Sequence, residues 1–225
     1  MATNLPTGHT QRVSDFLSKV KPSRGRIAFI IDATGSREHT WDAATQLQGE
    51  MFSEAANLGG LEMQVTYFGG LNNVASSFWT SDARELQHFM GRVRCDTGYT
   101  KYGRALAHVR DEHRRQPINA VIAVGDMLEE EPHTLYDAVA GLGVPLFAFQ
   151  EGSNFQQREV LRLREAFQEM ARLSKGAYCA FDSGSIAQLR ELLRAVAAFA
   201  TGGLTALSDL RSEGARKLLE QMKKK

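Results

Sequence analysis

The chain has 225 residues, and 27 Lys and Arg against 26 Asp and Glu leave a formal net charge of +1 with histidines neutral. Hydrophobic residues make up 43% and charged residues 24%, the balance of one ordinary globular domain long enough to bury a core without staples. The near-neutral balance excludes a protein that works by bulk charge, such as a nucleic-acid binder; Lys223, Lys224 and Lys225 are the basic run, and they read as a solvated tail.

Residues 1–23 form a polar leader in which Val13 to Val20 fits a short helix. Arg26 to Ile31 is an apolar run closed by Asp32, the pattern of a strand buried on both faces. Thr40 is placed to cap the next helix, with Asp42 in its first turn, and Gly59-Gly60 stops that helix after Leu58. Leu61 to Phe68 is a second strand. Gly69-Gly70 and Asn72-Asn73 turn the chain, and Val74 to Thr80 returns as a short edge strand. Helices are expected from Asp82 to Arg94 and from Gly103 to Arg115, joined by a Gly- and Thr-containing loop. Asn119 to Val124 is a third buried strand, ending at Gly125-Asp126. His133 to Leu142 reads as helix, Val144 to Phe149 as strand, Phe155 to Leu173 as helix, Ala177 to Phe181 as strand and Ser185 to Ala200 as helix. After Gly202-Gly203 the composition turns polar, and residues 201–225 read as a helix or tail with weak packing. Strands alternating with helices predict an α/β domain, with a mostly parallel sheet covered on both faces and ligands at the carboxyl ends of the strands.

Cys95 and Cys179 form no CxxC pair, so zinc ribbons and thioredoxin-type redox chemistry are not expected; two reduced buried thiols are the simple reading, with a disulfide between them left open. No apolar run is long enough to span a membrane, and the start of the chain lacks the pattern of a signal peptide, so a cytoplasmic protein is the expectation. His108 and His113 lie five apart on one helix, no HExxH motif is present, and both read as surface residues. Trp41 and Trp79 read as core packing. No P-loop, GxGxxG or GxSxG elbow occurs.

Three polar clusters fall at carboxyl ends of predicted strands or at the start of the next helix. They are Asp32-Ala33-Thr34-Gly35-Ser36, the segment Thr97 to Leu106, and Gly125-Asp126. Together they offer two carboxylates and several hydroxyls, hard oxygens suited to Mg²⁺, Mn²⁺ or Ca²⁺. Alternate residues 32, 34 and 36 of a tight loop can turn three side chains to one point.

These clusters resemble the von Willebrand factor A (VWA) family. Its metal-ion-dependent adhesion site has a D-x-S-x-S loop, a threonine in T-x-x-G-x-A-L and an aspartate after the central strand. Asp32, Thr34 and Ser36 match the first element, with Thr in place of the middle Ser. Thr100-Lys101-Tyr102-Gly103-Arg104-Ala105-Leu106 matches the second, and Asp126 the third. The likeness covers residues 24–200, between the leader 1–23 and the segment 201–225. It implies a three-layer Rossmann-like VWA fold: a central mostly parallel sheet with one antiparallel edge strand, and helices on both faces. It further implies a Mg²⁺ ion, with Mn²⁺ or Ca²⁺ as alternatives, held by Asp32, Thr34, Ser36, Thr100 and Asp126. That ion would capture an Asp or Glu of a partner protein without turnover, with no nucleic acid and no membrane involved. In the family the last helix can shift when metal ligation rearranges, here Ser185 to Ala200. The chain departs from the pattern at Arg37, Glu38 and His39 after Ser36, and at Met127 after Asp126. Glu129, Glu130 and Glu131 read as a solvated acidic turn.

Two other readings compete. The Asp32 loop also looks like the nucleophile loop of haloacid-dehalogenase-type phosphohydrolases, with Asp32 attacking phosphorus and Lys101 neutralising charge. That family's general-acid aspartate is missing at position 34, and T-x-x-G-x-A-L stays unexplained. A metal-free structural subunit is the third reading.

Overall fold

A computed structural model of the chain describes residues 25–40, 49, 52, 53, 61–71, 73–152, 156–181 and 186–223. The expected leader helix, Trp41 and most of the expected helix from Thr40 to Leu58 lie outside them. In chain order the elements are β1 (Gly25–Asp32), a 3-10 turn (Gly35–Thr40), β2 (Leu61–Gly69), β3 (Asn73–Ser76), α1 (Ala83–Met90), α2 (Tyr102–Arg115) and β4 (Ala120–Gly125). They continue as α3 (Pro132–Ala140), β5 (Leu146–Glu151), α4 (Gln157–Leu173), β6 (Ala177–Phe181), α5 (Ile186–Asp209) and α6 (Glu213–Lys223). The strands form one six-stranded sheet in the order β3-β2-β1-β4-β5-β6; β3 runs antiparallel at one edge and the other pairs are parallel.

The continuous apolar runs follow from helices covering both faces. Successive strand residues point to opposite sides. Ile27, Phe29 and Ile31 of β1, Ala120, Ile122 and Val124 of β4, and Phe147 and Phe149 of β5 therefore pack on one side, with α1, α5 and α6. Ala28 and Ile30, Val121 and Ala123, and Leu146 and Ala148 pack on the other, with α2, α3 and α4. A strand apolar on both faces can only sit in the middle of such a stack. Asp82 caps α1 by accepting from the Arg84 backbone N–H at 2.9 Å, which fixes that helix start where the sequence placed it. Trp79 is half-buried: its indole N–H donates to Glu112 Oε2 at 2.6 Å, and the Arg26 guanidinium lies 3.6 Å over its ring.

The end of the chain corrects the expectation of a weakly packed tail. α5 continues past Ala200 and breaks at Gly203, whose φ of 65° is open to glycine at little cost. This break turns the chain back against the domain. Leu207, Ala215 and Leu218 are buried in the same apolar layer as α5. α6 also closes the free edge of β6. The Gln221 side chain accepts from the Tyr178 backbone N–H at 2.9 Å and donates to the Tyr178 carbonyl at 2.8 Å. One side-chain amide thus supplies both bonds that a neighbouring strand would make to this residue.

Both cysteines are free, Cys95 half-buried and Cys179 buried, which settles the open disulfide alternative. Among the described residues no helix is long and apolar enough to cross a membrane.

Candidate metal centre

The sheet order reverses direction between β1 and β4, and crevices above the carboxyl ends of strands at such a point are where doubly wound sheets take ligands. The register pairs Ile31 with Val124 and Gly125 with Gln150. Asp32 therefore ends β1 beside Gly125, and Asp126 follows β4 beside Glu151 at the end of β5.

Four of the five expected ligands form one hydrogen-bonded chain. Asp32 Oδ1 accepts from the Thr34 backbone N–H at 2.8 Å and from its hydroxyl at 2.7 Å. The Thr34 and Ser36 hydroxyls lie 3.0 Å apart, and the Ser36 hydroxyl donates to Asp126 Oδ1 at 3.2 Å. Each hydroxyl carries a single proton. Two hydroxyl protons therefore serve three oxygen contacts, and either hydroxyl can donate to the other. Asp32 Oδ2 is buried and has no partner. Burial first, and then the Asp126 charge, raises the Asp32 carboxyl to about 7 against the opposing pull of Arg37 and Thr34. Burial raises Asp126 as well, with Glu151 adding to the shift and Arg37 opposing it. Oxygens in this state fit a hard cation: a neutral hydroxyl pair, two carboxylates and an orphaned carboxylate oxygen. Among the described residues no group of three or more His, Cys, Asp or Glu is placed to hold a metal.

Thr100 is buried but makes no hydrogen bond to the other four. It pairs reciprocally with Glu129: its backbone N–H donates to Glu129 Oε2 at 2.7 Å, and its hydroxyl accepts from the Glu129 N–H at 3.0 Å. The loop that carries it is laced to the first one. Asp96 N–H donates to the Ala33 carbonyl at 3.3 Å, and Gly70 N–H to the Asp96 carbonyl at 3.1 Å. The Lys101 ammonium donates to the carbonyls of Gly70 and Tyr99, each at 3.1 Å.

The acidic turn is not simply solvated. Glu130 accepts from the backbone N–H groups of Tyr102 at 2.6 Å and Gly103 at 2.9 Å, at the start of α2. Lys101 stands at the N-cap position without a side-chain cap bond, so these donors take their acceptor from a loop 27 and 28 residues away. Glu129 and Glu131 are exposed as expected, and Glu131 lies 3.5 Å from Arg162. His108 and His113, expected at the surface, serve α2: a His108 ring nitrogen lies 3.1 Å from Gln64 Oε1, and His113 Nδ1 accepts from the Ile118 N–H at 2.9 Å.

Three residues outside the expected set complete the surroundings. Arg37 is buried; its Nε donates to Glu151 Oε2 at 2.9 Å, Nη2 reaches the same oxygen, and Nη1 donates to the Asp32 carbonyl at 2.5 Å. Tyr102 stands edge-on to Phe68 and Phe167, with its buried hydroxyl unpartnered. A Cβ on Gly125 would overlap that hydroxyl and come within 3.3 Å of Asp32 Cβ, so glycine is what lets the phenol reach the end of β4. Glu151 had a legible signal, a charged residue closing a buried apolar run as Asp32 does. The roles of Glu129 and Glu130 had none.

No protein-family model and no curated protein matches the sequence. Solved structures do match. A von Willebrand factor type A protein from Catenulispora acidiphila aligns with 80% of this chain at 19% identity and a TM-score of 0.63, and the chain spans 43% of that protein's length. The VWA domain of SpRpn10 aligns with 74% of this chain and 93% of its own, at 13% identity and a TM-score of 0.59. An aerotolerance-related membrane protein from Bacteroides fragilis aligns with 73% of this chain and 98% of its own, at 18% identity and a TM-score of 0.53. At these identities the likeness is one of architecture. The three-layer arrangement, the mostly parallel sheet and its antiparallel edge strand are the von Willebrand factor A fold.

Proposed function

We propose that this domain is a protein-binding module that holds a divalent cation, Mg²⁺ first, through Asp32, Thr34, Ser36, Thr100 and Asp126. A bound cation supplies a Lewis-acidic contact for the Asp or Glu carboxylate of a partner protein. The observation that carries this reading is the Asp32–Thr34–Ser36–Asp126 chain: two hydroxyl protons serve three oxygen contacts, and Asp32 Oδ2 is buried unpaired. The chain's own residues divide the work. Asp32 orients Thr34, and Asp126 orients Ser36. Glu129 and Glu130 tie the Thr100 loop to the Asp126 loop.

The phosphohydrolase reading draws less support. Asp32 is 0% exposed where a nucleophile must meet substrate, and Lys101 spends its ammonium on two loop carbonyls. Calorimetry with Mn²⁺ and Mg²⁺ on the purified chain tests the proposal. Wild type is expected to bind, and Asp32→Ala and Thr100→Ala to lose binding. Capture of partners from cell extract is expected to need Mg²⁺ and to disappear in chelator. Absence of any heat of binding would leave the metal-free structural reading, and phosphate-ester turnover abolished by Asp32→Asn would establish the enzyme.

A further inference from the structure

We infer that the buried Arg37–Glu151 pair sets the charge of the cation site, so that changing either residue shifts ion affinity in proportion to the charge of the ion. This rests on the cation-holding reading above and adds two residues to it.

Three carboxylates, Asp32, Asp126 and Glu151, are buried together at the ends of β1, β4 and β5. Left alone they would present three negative charges. Arg37 is the buried cation among them. It takes one Glu151 oxygen with two of its nitrogens and places a third on the Asp32 carbonyl. Among the described residues two negative charges remain, the complement of one divalent ion. Low-dielectric surroundings make the count matter, because a buried charge that is not matched is costly. Arg37 is held by Glu151 and by the Asp32 backbone, while Asp32 Oδ2 is buried and unpartnered. Glu151 thus holds Arg37 at the back of the site, and Arg37 neutralises the carboxylate that would otherwise over-charge it.

Removing either charge should act with opposite sign, and more strongly on an ion of higher charge, since the Coulomb energy scales with ion charge. Glu151→Gln leaves one net negative charge: Mn²⁺ affinity should fall about tenfold and Tb³⁺ affinity about thirtyfold. Arg37→Met leaves three: Mn²⁺ affinity should rise about tenfold and Tb³⁺ affinity about thirtyfold. The double variant Arg37→Met/Glu151→Gln restores two charges and should return both affinities to near wild type. Arg37→Lys keeps the charge and should keep the wild-type preference.

The readouts are Mn²⁺ calorimetry and Tb³⁺ luminescence, on chains whose cooperative melting in chelator shows them folded. A merely structural role for the pair predicts that both single variants weaken both ions equally, with no recovery in the double variant; that result overturns the inference. If Arg37→Met does not fold, Glu151→Gln still decides, because equal losses for Mn²⁺ and Tb³⁺ refute charge control. Wild-type protein that binds neither ion sinks the cation reading and this inference together. Wild-type binding with same-sign single variants sinks this inference alone.

Discussion

Glu130→Ala is the sharpest test of how the Thr100 loop is held. The Glu130 carboxylate accepts two backbone N–H groups at the first turn of α2, at 2.6 and 2.9 Å, where no local side chain caps the helix. Truncation strands both donors and removes a negative charge from the positive end of the helix dipole. Hydrogen bonds to a charged group contribute ~1.5–3 kcal/mol and the dipole contact ~0.3–1 kcal/mol. Glu130 is half-exposed and water can replace part of the loss, which brings the expected cost to about 2–3 kcal/mol. In a domain of this size that lowers the melting temperature by about 4–12 °C. Glu131→Ala is the matched control. Its ion pair with Arg162 spans 3.5 Å between two exposed side chains, and such pairs contribute less than about 1 kcal/mol. Glu130→Gln should fall between, since an amide oxygen can still accept one N–H. The assay is thermal denaturation of the three variants in chelator, at low and at 1 M salt, where salt should erase the Glu131 effect and spare most of the Glu130 effect. Equal melting shifts for Glu130→Ala and Glu131→Ala would refute the stapled-loop account.

Asp32 is raised to about 7 by burial and by Asp126, well above an unfolded aspartate. The folded chain therefore holds a proton that the unfolded chain releases, and without metal its stability should fall as pH rises from about 4 to about 7. Asp32→Asn removes the Asp32 share of that slope and should melt above wild type at pH 8 in chelator; a variant that melts lower there contradicts the buried-repulsion argument. Leu218→Ala should cost about 2–5 kcal/mol by urea denaturation, as for a core leucine, whereas a dangling tail would show no effect. Burial pushes the thiols of Cys95 and Cys179 up to about 12, so at pH 8 neither should react with an aromatic disulfide reagent until the chain is unfolded. Rapid native labelling of Cys179 would mean that the packing of α6 against β6 is wrong.

The central strands were legible because burial on both faces leaves a mark that survives without partners: β1, β4 and β5 read as apolar runs. The four-residue chain of Asp32, Thr34, Ser36 and Asp126 was legible because its members sit at fixed places in such runs. Long-range pairings were not. Arg37 was visible only as a departure, since the carboxylate that makes its burial tolerable lies 114 residues away. Thr100 belonged to a motif, yet its bond to Glu129 spans 29 residues and follows from where two loops cross. Polar composition hid α6, whose few apolar positions and one glutamine suffice once Gly203 has turned the chain.

The clasp of Gln221 on Tyr178 has a consequence for synthesis on the ribosome. β6 is complete at Phe181, but its outer edge gains this cover only when a residue 43 positions beyond Tyr178 has been made. Until then a nascent chain carries an open strand edge able to pair with the same edge on a neighbouring chain, and the time taken to translate α5 and α6 sets how long that exposure lasts.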